Sequence, residues 1–234
     1  DTGQPYLALE YVEGAPINAH CDAAKLSVPA RIELFRRVLA AVQYAHGQLV
    51  VHRDIKPSNV IVTPAGEPRL LDFGIAKLLQ DPADEPAELT RVGQRLLTPE
   101  YASPEQIAGA PVGVASDVYS LGVVLYELLA GRRPQGTARA GQRALEDAVL
   151  AGDFPRASDA AVDGEAAALR GVTPRRLKHQ LAGDLDAILD KALRSDPAQR
   201  YPTCESFGDD LARHQRGEPV LARRGSRAYA LSKF

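Results

Sequence analysis

Methionine and tryptophan are both absent from this 234-residue chain, and it carries only two cysteines, Cys21 and Cys204. So distant a pair, without ligand-like spacing, argues against a zinc site or a disulfide framework and predicts two reduced, structural thiols. With Asp at residue 1 and no Met anywhere, the sequence reads as a piece of a longer chain. No apolar run is long enough to span a bilayer and no signal-peptide pattern occurs, so the chain itself is expected to be soluble and to face the cytoplasm. An excess of either charge is lacking too. Against 28 Lys+Arg stand 30 Asp+Glu, a net charge of −2, which excludes a broad electrostatic footprint for nucleic acid. What is present is ordinary for a globular domain, with 45% apolar and 25% charged residues, and the length suffices for one large domain with its own core.

The chain is organised around His52-Arg53-Asp54-Ile55-Lys56-Pro57-Ser58-Asn59, followed by Asp72-Phe73-Gly74. Leu49-Val50-Val51 before it and Val60-Ile61-Val62 after it read as short buried strands. Lys56, Pro57, Ser58 and Asn59 read as a loop. Polar residues on a loop held by buried strands suit a rigid catalytic site. Phosphoryl transfer calls for such a set, because it depends on positioning and charge neutralisation more than on covalent chemistry. Asp54 can accept or orient the proton of an attacking hydroxyl. Lys56 can neutralise the phosphate in flight. Asn59 and Asp72 offer hard oxygen ligands, which suit Mg2+ bound to nucleotide phosphates. Gly74 permits a sharp turn after the metal ligand.

This stretch resembles the catalytic loop of eukaryotic-type protein kinases, and Asp72-Phe73-Gly74 resembles their metal-binding motif. Three more pieces follow in the family's order. Thr98-Pro99-Glu100-Tyr101-Ala102-Ser103-Pro104-Glu105 is similar to the end of an activation segment. Ser116-Asp117-Val118-Tyr119-Ser120-Leu121-Gly122-Val123 is similar to the central helix of the large lobe. Asp196-Pro197-Ala198-Gln199-Arg200-Tyr201 is similar to the late arginine motif. Tyr11-Val12-Glu13-Gly14 and Tyr101-Ala102-Ser103-Pro104-Glu105-Gln106 bring the resemblance nearest to the bacterial membrane-anchored (Hanks-type) serine/threonine kinases.

The resemblance implies an α+β, protein-kinase-like fold, mainly the α-helical C-lobe with short β-hairpins at the active-site cleft. Residues 1–14 would supply the last small-lobe strand, over residues 5–12, and the hinge. Residues 15–216 would form the large lobe. Residues 217–234 would form a basic tail, with Arg223, Arg224, Arg227 and Lys233, leading toward the single membrane span of a longer parent whose kinase domain faces the cytoplasm. The family's glycine-rich phosphate loop, strand lysine and glutamate partner have no counterpart in this sequence, so the chain alone is expected to be inactive or weak.

By the same resemblance ATP is the phosphate donor and Mg2+, or Mn2+, the metal. The catalytic residues would be Asp54, Lys56, Asn59 and Thr98. The nucleotide would meet the hinge backbone at Glu10 and Val12, then Lys56, Ser58, Asn59, Ile61 under the adenine, and Asp72. Asn59 and Asp72 would hold the metal. Lys56 with Thr98 implies serine or threonine as acceptor in protein substrates. Thr90 is a candidate phosphosite within residues 75–97, where its phosphate would pair with Arg53; self-association for autophosphorylation goes with it. Glu105 and Arg200 would form a buried ion pair, and Asp117 would anchor the loop backbone. On the residues alone, Asp117 reads as first-turn helix chemistry after a Ser116 cap. A non-catalytic, kinase-like interaction module is the alternative.

Hydrophobic period and capping residues predict the remaining framework. A helix over residues 29–46 starts at Ser27 and Pro29 and stops at Gly47. The central helix ends at Gly131. Further helices are predicted over residues 143–151, 184–193 and 203–215, the last capped by Thr203 or Ser206 and stopped by Gly217. Residues 164–178 read either as a helix or as an irregular insert.

Overall fold

Ser27 and Pro29 do start a helix in the computed structural model, which describes residues 10–72, 98–136, 141–161 and 163–223. Helix α2 spans Val28–Gly47 and follows α1, Ile17–Ala23. The Ser27 hydroxyl accepts from the Ala30 amide at 3.4 Å, and Pro29 occupies the first turn, where no amide partner is needed. Ile32, Phe35, Val38, Leu39 and Val42 form its buried stripe.

The exit of α2 corrects the expected strand at Leu49-Val50-Val51. Leu49 is 94% exposed and Val50 is exposed as well. Leu49 takes the left-handed φ of 60° that a glycine usually supplies. The amides of Gln48, Leu49 and Val50 are spent on the carbonyls of Ala45 and His46, closing the last helical turn. A segment wound back on its own helix has no ladder groups left for a sheet. Gly47 is the last residue of the helix, as expected, with Gln48 its cap and Leu49 the left-handed residue just beyond.

Three short strands follow from turn chemistry. Strand β1 is Ala15–Pro16, β2 is Val60–Val62 and β3 is Pro68–Leu70. They pair antiparallel in the order β1-β2-β3, with Ala15 opposite Val62 and Ile61 opposite Arg69. The β2–β3 turn is closed by the Gly66 amide on the Thr63 carbonyl at 2.8 Å. Residues 10–13 lie outside regular structure, and Gly14 seats them on the sheet: a Cβ there would overlap the Val62 carbonyl oxygen and Ile61 Cγ2.

Beyond residue 98 the chain is helical, with α3 Pro104–Ile107, α4 Val114–Ala130, α5 Gln142–Ala151, α6 Ala157–Ala160, α7 Gly164–Ala168, α8 Pro174–Leu181, α9 Asp184–Ala192 and α10 Cys204–Gln215. Residues 164–178 are thus two helices. Asp163 caps the first by accepting from Glu165, and Thr173, ahead of Pro174, caps the second by accepting from Arg176. Ser116 is not the N-cap of α4. The helix begins two residues earlier, from Gly113, and Ser116, its third residue, accepts from the Gly113 amide at 3.4 Å. Thr203 caps α10 in a box with Ser206.

Helix α4 is buried at nearly every residue from Ser116 to Ala130, and the rest packs around it. On one flank Gly122 lets α9 come close, since a Cβ there would stand 3.0 Å from Ala192 Cβ. On another, α2 and α10 join through Phe35 and Phe207, whose ring centroids lie 5.9 Å apart edge to face. Two fully buried arginines close the C-terminal end of α4. Arg31 donates to the carbonyls of Leu128 and Cys21, and Arg170 to those of Glu127, Leu128 and Leu129. Cations placed on helix C-terminal carbonyls satisfy orphan acceptors and the dipole together. Cys21 and Cys204 are both free thiols in the core.

Candidate active site

The loop after α2 is shaped from α4. Asp117 accepts the His52 amide on Oδ2 and the Arg53 amide on Oδ1, each at 2.8 Å. Its Oδ2 also lies 2.7 Å from His46 Nε2 on α2. These bonds hold Arg53 at a left-handed φ of 67°, a conformation that costs a side-chain-bearing residue about 1–3 kcal/mol and persists only where the surroundings impose it. Both readings of Asp117 hold at once, as a first-turn acid and as the anchor of the loop.

From that bend the chain presents its polar residues to one point. The Lys56 ammonium is 2.8 Å from Asp54 Oδ2 and 2.8 Å from the Thr98 hydroxyl. The buried Asn59 sits in the 3-10 turn Pro57–Asn59 and donates from Nδ2 to the Asp54 carbonyl at 2.8 Å and to Asp54 Oδ2 at 3.1 Å. With its amide protons on Asp54, Asn59 keeps a carbonyl oxygen, Oδ1, for a cation. Asp54, Lys56, Asn59 and Thr98 are therefore brought together.

Asp72 is delivered by two clamps on the residue before it. The Leu71 amide donates to the Asn59 carbonyl at 2.9 Å, and His52 Nε2 donates to the Leu71 carbonyl at 2.9 Å. A carbonyl only accepts, so Nε2 carries the proton. Burial pushes the His52 pKa below its ordinary value, which keeps the ring neutral. Asp72 itself is exposed, at a φ of 54°. It lines an open cleft of about 640 Å3 whose one wall is Glu10, Tyr11, Val12 and Glu13 and whose other is Thr63, Pro64 and Arg69 to Asp72. Glu10, Val12 and Asp72 thus share one cleft. Ile61 lies half-buried in β2 beneath Gly14, and Ser58 is exposed on the 3-10 turn. Phe73, Gly74, Thr90, residues 5–9 of the expected strand and the tail residues Arg224, Arg227 and Lys233 lie outside the described residues.

The segment after Thr98 is tied down on two sides. Arg200 makes a two-pronged pair with Glu105, Nη1 to Oε1 at 2.7 Å and Nη2 to Oε2 at 2.8 Å. Ser116 adds a hydroxyl bond to Glu105 Oε1 at 2.6 Å. Burial opposes ionisation of Glu105, but the bonds from Arg200 and Ser116 outweigh it and leave the carboxyl below its ordinary pKa. On the other side Tyr101 donates to Glu127 Oε2 at 2.6 Å, and Ser120 donates to the Tyr101 carbonyl at 2.8 Å. Asn18 of α1 completes that link, donating to Glu127 Oε1 at 3.0 Å.

Sequence reasoning did not single out His46, Ser120, Glu127 or Gln106 as parts of this framework. Only Gln106 carried a signal of its own, the Ser-x-x-Gln spacing of a capping box at Ser103.

A family model described as protein kinase domain matches residues 1–210. The chain belongs to the protein kinase family. Its similarity to bacterial serine/threonine kinases extends over most of its length. Serine/threonine-protein kinase PknB of Mycobacterium tuberculosis is 33% identical over 219 residues, which is 93% of this chain and 32% of that protein. A probable serine/threonine-protein kinase of Streptomyces coelicolor is also 33% identical over 219 residues, 93% of this chain and 29% of the relative. Serine/threonine-protein kinase PknA of M. tuberculosis is 34% identical over 208 residues, 88% and 42% of the two chains. This kinase domain sequence spans about a third of the length of the first two. The fold is that of the family, mainly its helical lobe with a small sheet at the cleft. Among the described residues no helix is long and apolar enough to cross a membrane.

Proposed function

We propose that this chain carries the catalytic and acceptor-side machinery of a serine/threonine protein kinase, transferring the γ-phosphate of ATP to protein hydroxyls in bacterial signalling. The observation that carries the reading is the convergence of Asp54 and Thr98 on the Lys56 ammonium, with Asn59 bonded to Asp54. In this reading residues 10–14 act as the hinge, with the backbone of Glu10 and Val12 toward adenine and Ile61 beneath it, and residues 15–216 form the large lobe. Asp54 orients the acceptor hydroxyl and takes its proton. Lys56, held by Thr98, faces the phosphate in transit, and Ser58 borders the nucleotide.

Kinases use ATP with a divalent metal, and the donor set here fits one. Asn59 Oδ1 and the exposed Asp72 carboxylate are hard oxygens of the kind Mg2+ or Mn2+ takes from protein while phosphates and water complete its shell. Bound there, the metal would neutralise phosphate charge. The chain's own part is to aim Asp72, which it does through Asn59 and His52 on Leu71. Autophosphorylation at Thr90 by a second copy, and attachment to a membrane through sequence outside this chain, belong to the same proposal.

The test is phosphate transfer from labelled ATP to a generic basic protein. It compares this chain, the natural polypeptide that contains it, and that polypeptide carrying Asp54→Asn or Asp72→Ala. Transfer that falls about 100-fold or more in both variants supports the reading. Absence of transfer by every form, with Mg-ATP binding also absent, overturns it in favour of an interaction module.

A further inference from the structure

Gln106 reaches from α3 to the catalytic loop. Its side chain is buried, and Nε2 donates to the Arg53 carbonyl at 2.7 Å. Arg53 directly precedes Asp54 and is the residue held at left-handed φ. Its N–H is already taken by Asp117 on α4 at 2.8 Å. The two backbone polar groups of Arg53 are thus gripped from two different elements. The peptide between Arg53 and Asp54 is planar, so fixing the Arg53 carbonyl fixes the plane from which Asp54 departs.

The other end of Gln106 sets its direction. Oε1 accepts from the Ser103 amide at 3.0 Å and from the Ser103 hydroxyl at 3.2 Å, the capping box of α3. With Oε1 committed to Ser103, the NH2 group faces Arg53. A carboxamide meets both demands because it carries an acceptor and a donor in one plane; a carboxylate would keep the cap and lose the bond to the loop.

We infer that Gln106 is a positioning residue for phosphoryl transfer, coupling the segment that follows Thr98 to the peptide plane that carries Asp54. The inference rests on the reading of Asp54 given under Proposed function. It makes α3 a lever on the loop: a displacement of α3 pulls the Arg53 carbonyl and turns Asp54.

The chemistry of the box separates this role from a structural one. In the natural polypeptide that contains this chain, Gln106→Glu preserves the Ser103 cap and removes the donor to Arg53, whereas Ser103→Ala loses only the longer hydroxyl bond to Oε1, leaves the Ser103 amide on Oε1 and so keeps that donor aimed at Arg53. Gln106→Glu and the uncharged Gln106→Met are expected to lower kcat about 10- to 100-fold, the scale of small misplacements of reacting groups. The KM for ATP should stay within about twofold, because the cleft at Glu10 and Asp72 is untouched. Ser103→Ala is expected to keep wild-type kcat. Hydrogen exchange at the His52 and Arg53 amides, measured on the same proteins, reads the clamp without activity. It should rise about tenfold in both Gln106 variants and not in Ser103→Ala. Wild-type kcat in the Gln106 variants, or a loss shared equally by Ser103→Ala, overturns the inference. If the wild-type protein transfers no phosphate, the kinase reading fails by itself. The exchange rates then decide the clamp: faster exchange in the Gln106 variants alone supports it, and unchanged rates overturn it.

Discussion

Lys56 and Thr98 stand 42 positions apart in sequence, yet the ammonium of one donates to the hydroxyl of the other at 2.8 Å. That bond fixes a long, flexible side chain between Asp54 and the start of the described segment after residue 97. Thr98→Ala is expected to lower kcat for protein phosphorylation about tenfold with ATP affinity unchanged, since the lost contact positions Lys56 rather than the nucleotide. Thr98→Ser should recover most of the rate. Steady-state kinetics with ATP and protein varied separately checks both.

The Glu105–Arg200 pair is expected to act on stability. Both partners are buried, and Arg200 also donates to the carbonyls of Ala115, Arg194 and Ser195. Removing one partner leaves an uncompensated buried charge, so Glu105→Gln or Arg200→Met should each cost about 3–5 kcal/mol in urea unfolding. The double variant should cost less than the sum of the two, which a double-mutant cycle measures.

Acid should weaken the fold in two steps. Burial lowers the His52 pKa in the folded chain, so below about 6.5 the unfolded chain takes up a proton that the folded chain does not. Stability present above that pH is lost as pH falls toward the folded value. Glu105 follows the same sign lower down, its contribution being lost below about 4.5. Urea midpoints between about pH 8 and 3 should decline across both windows, and Glu105→Gln should remove the lower decline.

How far the sequence was legible depended on how local each cause is. The loop from His52 to Asn59 was readable because it packs its chemistry into eight consecutive residues, and β2, α2 and α10 because caps and period agree. Leu49-Val50-Val51 was misread because an apolar run has the same composition in a strand as in a solvent-facing turn, and composition does not report the left-handed φ of Leu49. Ser116 was placed three positions off, as the cap rather than the third residue of α4, because the cap is Gly113, which has no side chain to signal it. The link from Gln106 to Arg53 crosses 53 positions and has no local signature.

Gly14 is expected to matter to nucleotide binding through packing alone. Gly14→Ala forces a Cβ onto the Val62 carbonyl and lifts residues 10–13 from the sheet that holds their cleft wall. Nucleotide affinity should weaken about tenfold, read by titration with a fluorescent ATP analogue, while the unfolding midpoint shifts little.

Neither thiol should react in the folded chain. Burial pushes Cys21 up to about 11 and raises Cys204 well above the ordinary thiol range, and both are fully buried. Alkylation at pH 8 should label no cysteine in native protein and both in urea, as intact-mass measurement would show.

Helix α4 gives these separate attachments a common ruler. Ser116 meets Glu105, Asp117 meets the loop, Ser120 meets Tyr101, Glu127 meets Asn18 and Tyr101, and its last carbonyls meet Arg31 and Arg170. One residue inserted between Asp117 and Glu127 would rotate the far half by about 100° and advance it about 1.5 Å. Every attachment beyond the insertion would then miss its mate at once. The length of this helix is therefore an invariant of the design, and so is the reach of the α7–α8 connection, which must return Arg170 to the last carbonyls of α4.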